Sequence, residues 1–204
     1  MAGPHENLET AEHAEHAAHG GNKKIALLIS VLALFLAFSE TLGKSSQTEG
    51  ISANVEASNL WAFFQAKTIR MTTLTTAAET RKIDAATLTD PKLKDDVAKQ
   101  IDTWQKTAAR YNDEPETNEG RKQLTARAKE AEHKRDLALA RYHNYEFASA
   151  AFQIGIVLAS AEVITGMAVL AWLSGVLGMV GLAFMSFGLW APHALDFLLH
   201  ASAH

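Results

Sequence analysis

What constrains this chain most is where its charges are missing. From Ile25 to Ser39 there is no charged residue, and from Phe147 to Leu195 the one charged side chain is Glu162. The stretch between them, Lys44 to Glu146, holds 17 of the 19 Lys and Arg and 16 of the 23 Asp and Glu. A helix that crosses the hydrocarbon core of a bilayer needs about 20 mostly apolar residues. The first run, Ile25 to Leu42, is long enough for one crossing, and Phe147 to Pro192 for two. The mean hydropathy of −0.05 therefore averages two unlike materials. The reading is an all-α integral membrane protein with spans over 25–42, 147–171 and 173–191, and an extramembrane region over 43–146. The break in the second run is placed at Leu173, Ser174 and Gly175. Trp172 and Trp190 then bracket the third span, 18 residues apart, or about 27 Å, which suits an aromatic belt. A buried soluble hairpin is the alternative, but so short a chain has little else to cover that much apolar surface.

Lys23, Lys24 and the apolar run after them also have the elements of a signal peptide. The lysines follow 22 other residues, however, and TLGKSS after the run is no cleavage site, so a retained span is expected. Three spans put the two termini on opposite sides of the membrane, and the central region on the side of the C-terminus. Lys23 and Lys24 outweigh Lys44 across the first span, which favours an inside N-terminus and an outside central region.

The polar middle reads as helix. Leu93, Val97, Ile101, Trp104, Ala108 and Tyr111 recur at steps of three and four, one stripe of an amphipathic helix. Asp90-Pro91 marks its start, and Asn112 to Pro115 its end. A further helix is expected from Pro115 or Glu116 straight into the second span, with the heptad series Leu124, Ala131, Ala138 and Tyr145 flanked by Ala128, Arg135 and Tyr142. That seam is small and partly polar, so the coiled coil it makes is thin. Ile51 to Ile83 lacks Pro and Gly, and Ile51, Val55, Ser58, Leu60 or Trp61, Phe64, Thr68 and Met71 are its expected inward face. The picture is a central antiparallel, coiled-coil-like stalk. A core that small gains from packing against other copies.

Several classes of function are excluded or left without support. With no cysteine there is no disulfide, no thiolate nucleophile and no Cys-ligated metal. A net charge of −4 makes sequence-independent nucleic-acid binding a poor fit. No phosphate loop, dinucleotide fingerprint or nucleophile elbow occurs, so no cofactor and no enzymatic activity are expected. Glu162 is the sharpest single signal. Read as mid-span, its carboxylate would face a protein interior, as part of an ion pathway or as a satisfied structural carboxyl bonded through Ser160 or Thr165. Ala171, Ser174, Gly175, Gly178 and Gly181 form a small-residue stripe that permits close helix packing. Trp61, Phe63 and Phe64 are either core or a docking surface. His13, His16 and His19 in the acidic N-terminal tail have helical metal-ligand spacing, as do His193 and His200 in a C-terminal tail that otherwise reads as an interfacial helix. A solvated tail is the plainer reading of the first set.

Taken together, EHAEHAAHG from Glu12, NLWAFFQAK from Asn59 and FASAAFQIGIVLASAEVIT from Phe147 resemble a bacterial membrane family, domain of unknown function 4337. The resemblance implies three spans, a helical central region and no assigned activity. It places the chain in the bacterial inner membrane. The function expected is a non-enzymatic, membrane-anchored scaffold or accessory subunit. Its partners would be the lipid bilayer and either further copies of itself or a larger membrane complex. The alternatives are a subunit of an oligomeric ion pathway using Glu162, and a metal-binding protein using the His-rich tails.

Overall fold

The structure, a computed structural model, describes residues 23–193. Those residues form four helices and no strand: α1 (Lys23–Thr87), α2 (Pro91–Asn112), α3 (Arg121–Thr165) and α4 (Ala168–Trp190). They divide into two compact units. One takes the described residues up to Gly50 and from Asp136 onward, and the other is Ile51–Arg135.

In the first unit α1 contributes Ile25, Ile29, Leu32 and Leu36, which line one face at steps of four and three. They pack against Ala148, Phe152, Ile156 and Ala159 of α3, with Ala171, Leu182, Phe184 and Met185 of α4 against the same cluster. Phe152 is fully buried, and its ring stacks on Phe35 with centroids 5.9 Å apart. In the second unit α1 and α3 meet through Ala57, Leu60, Leu124, Ala128 and Ala131, while Ala78 of α1 meets Val97 and Ile101 of α2.

The chain reverses between α3 and α4 at Gly166-Met167, not at Leu173 to Gly175. Gly166 has φ +67° and its N–H donates to the Glu162 carbonyl at 2.7 Å, a left-handed helix C-cap. Ser174 and Gly175 instead lie inside α4. In an apolar helix small residues pack as readily as they break, and only the one needing a positive φ ends it. A Cβ on Gly166 would meet nothing within 4 Å. Gly166→Ala should therefore cost only the left-handed backbone term, about 1 kcal/mol, seen as a modest drop in thermal midpoint in detergent.

Two further expectations are corrected. The third long helix starts at Arg121, not near Pro115, because residues 115–118 form a turn with Asn118 in the left-handed region at φ 59°. Gln123 holds that turn, accepting from the Glu114 N–H at 3.3 Å and donating to Asp113 at 2.7 Å. Within Ile51–Ile83 the buried residues are Ala53, Ala57, Leu60, Lys67 and Ala78; of the expected inward face Leu60 is buried and Phe64, Thr68 and Met71 are half-buried, whereas Ile51, Val55 and Ser58 are exposed. Alanine lets α1 approach the small seam of α3 where a β-branched side chain would hold it off. The start of α2 is as read, with the Asp90 carboxylate capping the Lys92 N–H at 2.9 Å.

Candidate functional site

Three sets of side chains could carry function, and each lies within one unit. The first surrounds Glu162. This carboxyl is buried, but it sits in the last turn of α3 and not at mid-helix. Ser160 and Thr165, the neighbours expected to bond it, turn their hydroxyl protons elsewhere. Each hydroxyl donates back to its own helix, Ser160 to the Ile156 carbonyl at 2.9 Å and Thr165 to the Ala161 carbonyl at 2.8 Å. Three polar contacts that link helices in this unit lie near the middle of α3. Ser39 Oγ, fully buried, donates to the Tyr145 carbonyl at 2.9 Å. Gln153 Nε2 donates to Glu40 Oε1 at 3.4 Å, and Asn144 Nδ2 to the Pro192 carbonyl at 3.0 Å. Sequence reading passed over Ser39 and Asn144, since single small polar residues beside an apolar run carry no pattern.

The second set is the small-residue stripe of α4, which the structure divides. Ser174, Gly178 and Gly181 are buried, and Gly188 extends their line. A Cβ on Gly181 would come within 2.6 Å of the Phe152 ring, and one on Gly178 within 2.8 Å of Leu32 Cδ2. These glycines allow the backbone of α4 to lie directly on core side chains. Ser174 fits by size, since its buried Oγ has no hydrogen-bond partner among the described residues. Gly175 is off that line, with nothing within 4 Å of its Cβ position. With Ala171, Trp172, Val176 and Met179 it lines an open hollow of about 340 Å³.

The third set belongs to the second unit and is the most fully built. Trp61, Phe63 and Phe64 pack on the cluster of Leu60 and Leu124, so they are half-buried structure before they are a surface. Trp61 Nε1 donates to Glu132 Oε1 at 2.9 Å, and its ring meets Phe64 edge-on at 5.5 Å. One turn further on, Lys67 is buried. Its Nζ lies 3.1 Å from Glu114 Oε2 and 3.9 Å from Glu119 Oε2, between the rings of Phe63 at 5.4 Å and Tyr111 at 5.1 Å. Arg121, at the head of α3, donates to Thr68 Oγ1 at 2.9 Å and to Asn112 Oδ1 at 3.3 Å, and its guanidinium covers Phe64 at 4.9 Å. The Lys67 hydrogen bond holds the Glu114 carboxyl below its usual range, and Lys122 does the same for Asp113. This knot ties α1 to the turn between α2 and α3. Sequence reading did not find it, since the expected inward face of α1 ran through Phe64, Thr68 and Met71 and left Lys67 off.

A model of the family described as domain of unknown function (DUF4337) matches residues 21–191. The chain belongs to that family. Comparison with curated proteins and with solved structures gives no match. The WAFFQAK segment that carried much of the DUF4337 resemblance is the one that builds the Lys67 knot.

His193 sits in the turn that follows α4. His13, His16, His19 and His200 lie outside the described residues. Among the described residues no group of three His, Asp or Glu could hold a metal ion.

Proposed function

We propose that this DUF4337 chain is a non-enzymatic membrane protein, anchored by three spanning helices and bearing an antiparallel helical stalk, that assembles with itself or with a larger membrane complex. The observation that carries this reading is the apolar surface its own fold leaves open. The apolar windows of α1, α3 and α4 have mean hydropathies of 2.3, 1.7 and 2.0, yet only 28%, 39% and 17% of their residues are buried. Surface of that extent is stable against lipid or protein, not water. Phe147 to Thr165 is 19 residues, about 28 Å of helix and close to the thickness of a hydrocarbon core. Trp172 and Trp190, both strongly exposed on α4, suit the two headgroup layers. The lysine pair at the start of α1 favours a cytoplasmic N-terminus in a bacterial inner membrane, with the central unit outside.

Assembly is supported by the second unit, where Val55, Ile69 and Ile83 are exposed on a segment too polar for lipid. The test is to wash membranes with alkaline carbonate, crosslink them with an amine reagent, and size the solubilised particle by light scattering. The expected result is carbonate-resistant protein in a particle larger than one 22.1 kDa chain. A strict monomer with no crosslinked partner overturns the reading. The ion-pathway alternative is weaker, because Glu162 lies within one turn of a helix end, where a carboxyl can reach the headgroup layer.

A further inference from the structure

In the second unit, α1 has one face on its own chain and a different, ordered face turned away from it. Assign heptad letters with Ser52 at position a. The buried residues Ala53, Ala57, Leu60, Lys67 and Ala78 then fall at b and f. The a positions, on the far side, are Ser52, Asn59, Ala66, Thr73 and Thr80. The d positions are Val55, Ala62, Ile69, Thr76 and Ile83. All ten are exposed and none is charged, whereas the same segment places Glu56, Arg70, Glu79, Arg81, Lys82 and Asp84 at other exposed positions. An ordinary solvated helix face has no reason to keep charge off a 3.5-residue repeat for more than four heptads. An open hollow of about 750 Å³ runs along this side of the helix, lined by Ile69, Thr73, Thr76 and Thr80 among others.

We infer that this stripe is the seam of a parallel, in-register coiled coil between α1 and the α1 of a second copy of the chain. The inference rests on the membrane reading above. Copies inserted in one bilayer by the same three helices point the same way, so identical positions stand at the same height. The residue that selects a second copy over any other occupant is Asn59. An asparagine at an a position is costly against an apolar partner, and is satisfied by the same asparagine across a two-fold axis, where it fixes register and two-strandedness. The threonines fit the same geometry. Thr73 Oγ1 already donates to the Ile69 carbonyl at 2.9 Å, so a partner meets its methyl group and no hydroxyl is stripped of water. The flanks locate the firmest part of the seam. Glu79 and Asp84 at g and e would meet across the interface as like charges, so contact is tightest from Val55 to Ile69.

The chain contains no cysteine, so a single introduced thiol reports only on its own copy. In the full chain in native-like membranes, Val55→Cys, Ala62→Cys and Ile69→Cys should give several-fold more disulfide-linked dimer on mild oxidation than the exposed c positions Asn54→Cys and Thr75→Cys, because facing seam residues can close to the Cβ separation of about 4 Å that a disulfide needs and c residues cannot. Ile69→Glu should abolish the oxidised dimer of Ala62→Cys while helix content by circular dichroism is unchanged. Equal crosslinking at c and d positions overturns the seam. So does d-position crosslinking exclusively to another protein. If light scattering still finds an assembled particle in those cases, assembly survives and only this interface falls. A monomeric particle without dimer removes both.

Discussion

Replacing Gly181 with leucine should abolish the packed state of the unit built from α1, α3 and α4, while the same change at Gly175 should leave it folded. The contrast follows from what each Cβ would meet. At Gly181 the new atom would lie 2.6 Å from the Phe152 ring, closer than real Cβ contacts occur. That ring cannot yield cheaply, being fully buried and stacked on Phe35. On the proposed membrane reading the surrounding lipid tails are as apolar as the side chains, so no hydrophobic driving force offsets the loss and stability comes from closeness of approach. Even Gly181→Ala should cost about 1–3 kcal/mol as overpacking, and leucine more. Gly178→Ala should be milder, because its clash is with Cδ2, the movable end of Leu32. Gly175→Ala should stay within about 0.5 kcal/mol of the parent. Unfolding midpoints in a denaturing-detergent titration, read by far-UV circular dichroism, would rank the five variants. A Gly175→Ala loss as large as that of Gly181→Ala would mean that α4 packs by a different face.

The ranking could not have been written from the sequence, although the stripe itself was plain there. Alanine, serine and glycine at steps of three and four identify a packing face, but five candidates admit more than one line, and only the contact with Leu32 and Phe152 separates Gly178 and Gly181 from Gly175. The same limit explains the misplaced turn. Ser174-Gly175 and Gly166 are both breaker signals in an apolar run, and the deciding property, a positive φ, is a matter of backbone geometry. The helical class and most of the helical extent were legible because charge segregation and apolar periodicity are summed over many residues, but the continuity of 25–42 with 51–83 in the single helix Lys23–Thr87 was not. The start of α2 was legible because Asp90-Pro91 is a local cap signal. Lys67 was missed for the opposite reason. Its burial depends on Glu114, 47 residues away, and on Tyr111, and no local pattern reports such a pair.

The Lys67 knot gives the largest expected effect in the second unit. Lys67→Met should lower the thermal midpoint of that unit by on the order of 5–10 °C, given the sensitivity of a domain of 60–100 residues. It removes the nearer of the two basic partners of a carboxylate whose side chain is 14% exposed, leaving Arg110 at 3.5 Å, and a carboxylate so placed is poorly solvated once it loses that hydrogen bond. Lys99→Met is the control. Its pair with Asp95 is a surface i, i+4 contact with both side chains mostly exposed, so the midpoint should not move. The pH dependence follows from Glu114. Its carboxyl is held below the usual 4.5, chiefly by the hydrogen bond from Lys67, with burial opposing and the charges of Lys67 and Arg110 assisting. A group whose folded value is depressed contributes stability above its unfolded value and loses it as pH falls through the folded one. The second unit should therefore be at full stability at neutral pH and weaken below about 4.5. Glu114→Gln should lower the neutral-pH midpoint and remove its share of the acid slope, leaving the share of Asp113, which Lys122 also depresses. Hydrogen exchange should place the change in residues 105–125, where α2 ends and α3 begins. Faster exchange spread evenly over the whole chain, or an acid slope unaltered by Glu114→Gln, would mean that the buried lysine is tolerated by the fold without holding the turn to α1.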